Sequence, residues 1–386
     1  MKQESLVIRN FGPIADVELH DIKPLTIIIG PSGVGKSTIL KVLSLFRWLY
    51  KKQNIRSYLK LAGLRRSPFN YVFKSYVKNN GWQGFLKQDT YIRYTYGSYV
   101  LEYTDDKLQK PAIIKSHSDL HLEKISFIAD SRIIIPDILA GKARTDDFYT
   151  LETYKDFKTA LDVLQEVSLP YMGVCLSLKK ISGRREYRVE GEGQHSFSIN
   201  LSNSSSGTQT LLPLVAIIRY YASHFDIVKT MNKAILSYLS DDDRLSELRF
   251  VKNVGDIPSK RVSLMIEEPE LSLSPSKQIS LLNELCKNCF TKQHNGYRMS
   301  VMLTTHSPYI VNQLNLLTLA HSKGELIEGA SISYEDIEVL RMMEDGHTIS
   351  LKAQNKEFVD AMPLSDDILK IYTKYDELHD KPREVD

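Results

Sequence analysis

Cysteine is scarce in this chain of 386 residues. The three present, Cys175, Cys286 and Cys289, are an odd set that excludes a disulfide framework and fits a reducing compartment. Long apolar runs are missing too. The longest, Leu211 to Ile218, is interrupted by Pro213 and falls far short of a membrane span, so no membrane partner is expected. The first residues carry Glu4 and no extended apolar core, unlike a secretory signal, and a cytoplasmic location is expected. Charged residues at 25% and apolar residues at 42% exclude a disordered or fibrous chain. Neither repeats nor sustained heptads occur, which excludes a solenoid or a long coiled coil.

The most local absence is of acid. Between Asp21 and Asp89 there is no Asp or Glu, while thirteen Lys or Arg fall in the interval. With a net charge of +3 for the whole chain, the remainder is net acidic. Phe46, Trp48, Tyr50, Tyr58, Phe69, Tyr71, Phe73, Tyr76, Trp82 and Phe85 interleave these cations. Cations for phosphates and flat rings for bases make a nucleic-acid surface, with Arg47, Lys51, Arg56, Arg65 and Arg66 as its candidate contacts. The same composition also describes a helix whose rings face the core and whose lysines are solvated.

Three short aliphatic runs, Leu25 to Ile29, Val262 to Ile266 and Met299 to Leu303, read as fully buried parallel strands. Ligands of open α/β sheets gather beyond the carboxyl ends of such strands. The spacing also predicts a hairpin from Ser5 to Arg9 and Ala15 to His20, antiparallel strands over Thr90 to Tyr103, and a helix over Phe157 to Val167. A charged hairpin over Gly183 to Asn200, a buried helix over Leu211 to Ala222 and a polar excursion over Asp241 to Lys260 follow.

The first aliphatic run leads into Gly30-Pro31-Ser32-Gly33-Val34-Gly35-Lys36-Ser37-Thr38, an ungapped phosphate-binding loop between strand and helix. Its glycines let backbone N–H groups turn around phosphates, Lys36 reaches the β and γ phosphates of ATP, and Ser37 is a ligand for Mg2+. The second run ends at Glu267-Glu268-Pro269-Glu270. Glu267 is assigned to Mg2+ and Glu268 to the base that deprotonates the attacking water. The third ends at Thr304-Thr305-His306-Ser307-Pro308, where His306 is placed to hydrogen-bond the γ phosphate. Cys286 and Cys289, near His294, offer half of a zinc spacing, but Leu281, Leu282 and Leu285 beside them point to buried structural thiols.

Together with Ser205-Ser206-Gly207-Thr208-Gln209, these motifs stand in the order of ABC-type ATPases. The chain resembles in particular the branch of the overcoming-lysogenisation-defect nucleases and the ATPase subunits of anti-phage systems such as Septu and PARIS, from about Ser5 to Leu316. The resemblance implies an α/β P-loop fold with a mixed, mainly parallel core sheet, an antiparallel N-terminal β lobe and helical insertions. The ATPase core is then 1–316, with insertions about 50–130 and 225–260, and 317–386 is a C-terminal α/β part of the same lobe. It further implies ATP and Mg2+ as cofactors and a homodimer or higher assembly. Ser205, Ser206, Gly207 and Gln209 form a signature that meets the nucleotide of another copy. Ser272 and Ser274 stand where the branch carries histidines, Glu267 replaces the aspartate of transporter ATPases, and no glutamine loop is placed. Ile128-Ala129-Asp130-Ser131-Arg132 is similar to a strand-plus-arginine element of the branch and is left outside the site. The function implied is an ATPase sensor of an anti-phage system that controls a separately encoded nuclease or toxin. The alternative is a DNA-repair or chromosome-maintenance ATPase that clamps DNA.

Overall fold

The computed structural model of the chain describes residues 2–63, 73–109, 111–181, 184–191, 196–240, 254–294, 296–353, 358–364 and 366–379. Its strands in chain order are β1 (Glu4–Phe11), β2 (Ile14–Leu19), β3 (Leu25–Ile29), β4 (Leu86–Tyr96), β5 (Tyr99–Thr104), β6 (Lys107–Leu108), β7 (His121–Ile128) and β8 (Glu166–Leu169), then β9 (Val174–Ile181), β10 (Arg184–Gly191), β11 (Ser198–Asn200), β12 (Ser259–Glu267), β13 (Arg298–Thr305), β14 (Ile337–Met342) and β15 (Thr348–Ser350). The helices are α1 (Lys36–Leu61), α2 (Phe73–Asn79), α3 (Ile135–Leu139), α4 (Phe148–Leu164), α5 (Ser206–Ser223), α6 (Ile227–Ser240), α7 (Pro275–Cys286), α8 (Pro308–Ser322) and α9 (Asp366–His379).

The three aliphatic runs become neighbours. The core sheet has the order β15-β14-β3-β13-β12-β7, parallel throughout except for the edge pair β14 and β15. Every residue of β3, and β13 beyond Arg298, is buried, as expected for parallel strands covered on both faces. Each Leu or Ile taken from water there contributes about 1.5–3 kcal/mol. The expected N-terminal hairpin pairs β1 with β2, and the tyrosine-rich strands β4 and β5 extend it into an antiparallel sheet of order β2-β1-β4-β5-β6. A second antiparallel sheet, β11-β10-β9-β8, contains the charged hairpin. The fold is α/β, with a mostly parallel central sheet and two antiparallel sheets.

Two expectations are corrected. The helix expected over Phe157 to Val167 starts nine residues earlier, where the Asp147 carboxylate caps it by accepting the Thr150 N–H at 2.7 Å. It stops at Gln165, which turns to φ +62°, and Val167 lies in β8. The buried helix starts at Ser206 rather than Leu211. Most of the polar excursion, residues 241–253, lies outside the described residues. Cys286 and Cys289 are buried at the end of α7 and in the π-helical turn after it, and burial pushes both thiols well up. No single described helix is long and apolar enough to cross a membrane.

The surface expected from the acid-free interval is corrected at Arg47. Its guanidinium is 1% exposed and grips Glu4 through two bonds, Nε to Oε1 at 2.8 Å and Nη2 to Oε2 at 2.9 Å. Phe46, Tyr50, Tyr58, Phe73 and Trp82 are likewise buried, so these rings belong to the core. Lys51 and Arg56 are half-buried; burial, with Lys124 nearby, brings the Lys51 ammonium down to about 8. Arg65 and Arg66 lie outside the described residues.

Arg47 is one member of a buried four-charge cluster. Arg261 joins it, donating from Nη1 to Glu4 at 2.5 Å and from Nε to Glu123 at 3.0 Å, while the Tyr94 hydroxyl donates to Glu4 at 2.8 Å. Two guanidinium groups thus neutralise two carboxylates and tie the antiparallel sheet (β1, β4) to α1, β7 and β12. Burial alone would raise the Glu4 carboxyl, but Arg261 and Arg47 outweigh it and hold it far below the usual range. Arg47→Ala is expected to lower stability by about 3–5 kcal/mol, read as a lower urea midpoint. A depressed carboxyl contributes stability above its unfolded pKa and loses it as pH falls. The gap in midpoint between wild type and Glu4→Gln is therefore expected to hold steady above about pH 5 and narrow below it.

Candidate functional site

Strand order places the site. Because β3, β13 and β12 are adjacent and parallel, their carboxyl ends deliver the glycine loop, the histidine and the acidic turn side by side. The loop leaves β3 at Gly30 and enters α1 at Lys36. Gly35, the residue before the helix, has φ +112°, a conformation that strains any side chain, and a Cβ there would also sit tightly against Pro13 at 3.1 Å. Ser32 and Gly33 are exposed, and Val34 packs partly against the core. The N–H groups of the first helical turn, including those of Ser37 and Thr38, have no partners within the helix and suit phosphate oxygens.

Lys36 is the hub of this cluster. Its Nζ donates to the carbonyls of Gly30 at 2.9 Å and Pro31 at 2.6 Å and lies 3.1 Å from His306 Nε2. Burial pushes its ammonium down, while Glu268 and Glu270 act in the opposite sense. His306 Nε2 is also 3.3 Å from Glu268 Oε1, so Lys36, His306 and Glu268 form one continuous line of polar contact. Each is reached from a different strand end. Glu268 holds φ +41°, an uncommon conformation for a residue with a side chain and typical of sites where surroundings impose geometry. Its N–H donates to the Thr304 carbonyl at 3.0 Å.

Glu267 is 1% exposed and faces inward. Lys41 Nζ lies 3.1 Å from its Oε1 without the alignment of a hydrogen bond, and the Asp130 N–H donates to its Oε2 at 3.4 Å. Burial raises the Glu267 carboxyl, with Lys41 and Ser37 opposing. A hydroxyl and a carboxylate oxygen side by side, with one oxygen not committed to a hydrogen bond, form a hard-oxygen donor set that fits Mg2+. The residues fit the role that the sequence assigns to Ser37 and Glu267.

The signature residues stand elsewhere in the chain. Ser205 caps α5 by accepting the Thr208 N–H at 3.3 Å, and Ser205 and Ser206 are exposed. Gly207 is buried, with a Cβ position 2.8 Å from the Ser272 carbonyl oxygen; any side chain there would push α5 off the segment that follows Glu268. Gln209 Nε2 donates back to the carbonyls of Ser202 at 3.0 Å and Ser204 at 2.9 Å and so braces the loop before the helix. Among the described residues, no hydrogen bond joins Ser205, Ser206 or Gly207 to the glycine loop.

Two residues outside the expected set prove central. Glu270 Oε1 accepts the His306 N–H at 2.6 Å, clasping the histidine turn to the acidic turn. Arg132, fully buried, donates to four main-chain oxygens: Thr210 at 3.1 Å, Ala129 at 3.0 Å, Glu267 at 2.7 Å and Glu268 at 2.5 Å. Burial brings its guanidinium down to about 10, still protonated at neutral pH. The sequence signal for Arg132 is the strand-plus-arginine element from Ile128, whose strand is edge strand β7 of the core sheet. For Glu270 it is only a third carboxylate in the acidic turn.

The sequence profile of the AAA ATPase domain matches residues 1–73 and 47–311. No curated protein sequence matches. Among solved structures, the chain is similar to the SMC head domain from Thermotoga maritima, at TM-score 0.37 and 12% identity over 92% of this chain and 100% of that one. An SMC head bound to the C-terminal winged-helix domain of ScpA gives TM-score 0.36 and 11% identity over 92% and 98% of the two chains. The recombination mediator RecF bound to an ATP analogue gives 0.33 and 10% over 91% and 99%. These three likenesses are distant. The profile covers well over half of the chain: it belongs to the AAA ATPase domain family and is an ATP-binding, ATP-hydrolysing P-loop enzyme.

Proposed function

We propose that this ATPase is of the ABC type and is completed by a second copy of itself, each ATP lying between the glycine loop of one chain and the signature turn of the other. The observation that carries this reading is the exposed start of α5. Ser205 and Ser206 are solvent-facing and make no hydrogen bond to their own glycine loop, yet Ser205 caps and Ser206 begins an 18-residue helix whose N-terminal N–H groups and dipole suit a phosphate. In this reading Lys36 and the loop N–H groups hold the β and γ phosphates, and His306 contacts the γ phosphate. Glu268 orients the attacking water and takes its proton. Ser37 and Glu267 would hold Mg2+, which would neutralise phosphate charge there. Water attacks the γ phosphorus, the bond to the β-phosphate oxygen breaks, and ADP and inorganic phosphate leave. Closure around ATP and opening after hydrolysis perform the work.

The load on that closure is a separately encoded effector, as in the anti-phage systems that the motif set resembles. A protein partner is supported by α9, where Ile371, Tyr372, Tyr375 and Leu378 are 57–69% exposed along its length. The second reading, a clamp on DNA, is supported by the acid-free interval, in which Lys60, Lys78 and Lys87 remain exposed. Purification from the host with a nuclease or toxin whose activity changes with ATP favours the first; ATP-dependent duplex binding without such a partner favours the second.

Lys36→Ala and Ser206→Arg are each expected to be inactive alone. Mixed, they are expected to hydrolyse ATP above the level of either alone, with about a quarter of the wild-type rate as the ceiling for uncoupled sites, because about half the dimers pair unlike chains and hold one intact site. A mixture as inactive as its parts would contradict composite sites. Glu268→Gln is expected to bind ATP normally in a fluorescent-nucleotide titration while kcat falls about 100- to 10,000-fold.

A further inference from the structure

We infer that Arg132 is a positioning residue that links the signature turn to the catalytic glutamate of the same chain, so that each ATP site senses whether the other is engaged. The inference rests on the two-copy reading above.

The geometry is specific. All four hydrogen bonds of the buried Arg132 guanidinium end on main-chain oxygens. A buried arginine without a carboxylate bonded to it is costly, and what it gains here is the joining of three separate pieces of backbone. Ala129 is the end of the β7 segment, Glu267 and Glu268 are the acidic turn, and Thr210 lies in the first turns of α5. A second link runs in parallel: the Thr210 hydroxyl lies 2.9 Å from the Leu271 carbonyl, nearer than the Ser206 and Gly207 carbonyls at 3.1 Å that compete for its one proton, and Gly207 rests against the Ser272 carbonyl. The signature end of α5 therefore holds the chain both before and after the Glu268 side chain. Glu268 at φ +41° and Ser272 at φ +60° are conformations that persist only while neighbours impose them.

Helix α5 is built to transmit a displacement at this end. Pro213, inside the helix, withholds the N–H that would bond the Gln209 carbonyl four residues earlier. The first turns thus depend less on helical bonds and more on their contacts with Arg132 and the acidic turn. A nucleotide held by the other copy pulls on Ser206 and Gly207, and the pull reaches the peptide planes of Glu267 and Glu268 through Thr210 and Arg132. Only a contact that differs between the engaged and free states shifts such an equilibrium, and the four-way guanidinium fork is that contact. Coupling of this kind changes affinity or rate by about 5- to 150-fold.

The test measures ATP hydrolysis against ATP concentration for wild type, Arg132→Lys and Thr210→Val, with native mass and thermal melting of each. Lysine keeps the charge but not the planar fork; valine keeps the volume of Thr210 and removes its hydroxyl. Wild type is expected to dimerise and show a Hill coefficient above 1. Both variants are expected to dimerise at the wild-type ATP concentration, with kcat at least about tenfold lower for Arg132→Lys and Hill coefficients near 1. If Arg132→Lys does not fold, Thr210→Val decides. Variants that lose activity but keep the wild-type Hill coefficient would give Arg132 a merely structural role and overturn the inference, as would a wild-type dimer without cooperativity. A wild type that never dimerises would overturn the two-copy reading itself.

Discussion

The register of three parallel strands is the constraint on which the site depends. Ile29 of β3 lies opposite Thr305 of β13, and Thr304 lies opposite Glu267 of β12. Since main-chain hydrogen bonds fix that register, the glycine loop, the histidine turn and the acidic turn leave the sheet at one level. Lys36, His306 and Glu268 then need no long reach to meet. A slip of one residue in either pairing would turn Glu267 or Thr304 to the opposite face and separate the cluster.

Around this frame the chain buries charge, and each buried charge joins elements that side-chain packing alone would leave adjustable. Glu4, Arg47, Glu123 and Arg261 lock the antiparallel sheet onto α1 and the core sheet. Arg132 does the equivalent between the acidic turn and α5, using backbone oxygens in place of carboxylates. Such groups contribute little net stability compared with apolar replacements; what they specify is relative position. That is the property an enzyme needs when its base must be held within tenths of an ångström of a water.

The strands, the phosphate loop and the acidic turn were legible because their signals are local. Buried parallel strands read as aliphatic runs, and the phosphate loop and acidic turn follow them directly in sequence. What escaped depends on tertiary contact. Arg47 sits in a basic, aromatic-rich stretch that fits a nucleic-acid surface and a buried helix equally well, and only its distant partners Glu4 and Met265 decide. The start of α4 escaped because the face it buries after its capping Asp147 is made of Tyr149, Thr150 and Thr153, which leave no apolar stripe to read. Arg132 was visible as part of a strand-plus-arginine element, but nothing local reveals that its four acceptors come from residues 129, 210, 267 and 268.

The central claim is that one chain holds the chemistry for ATP hydrolysis and a second copy completes the site. Native mass of the Glu268→Gln variant, with and without ATP and Mg2+, tests it most directly, because in the proposed mechanism a chain without its base stays in the closed state. The account predicts a monomer that becomes a dimer or larger assembly only when ATP is present. A mass indifferent to ATP, with nucleotide demonstrably bound, would contradict it.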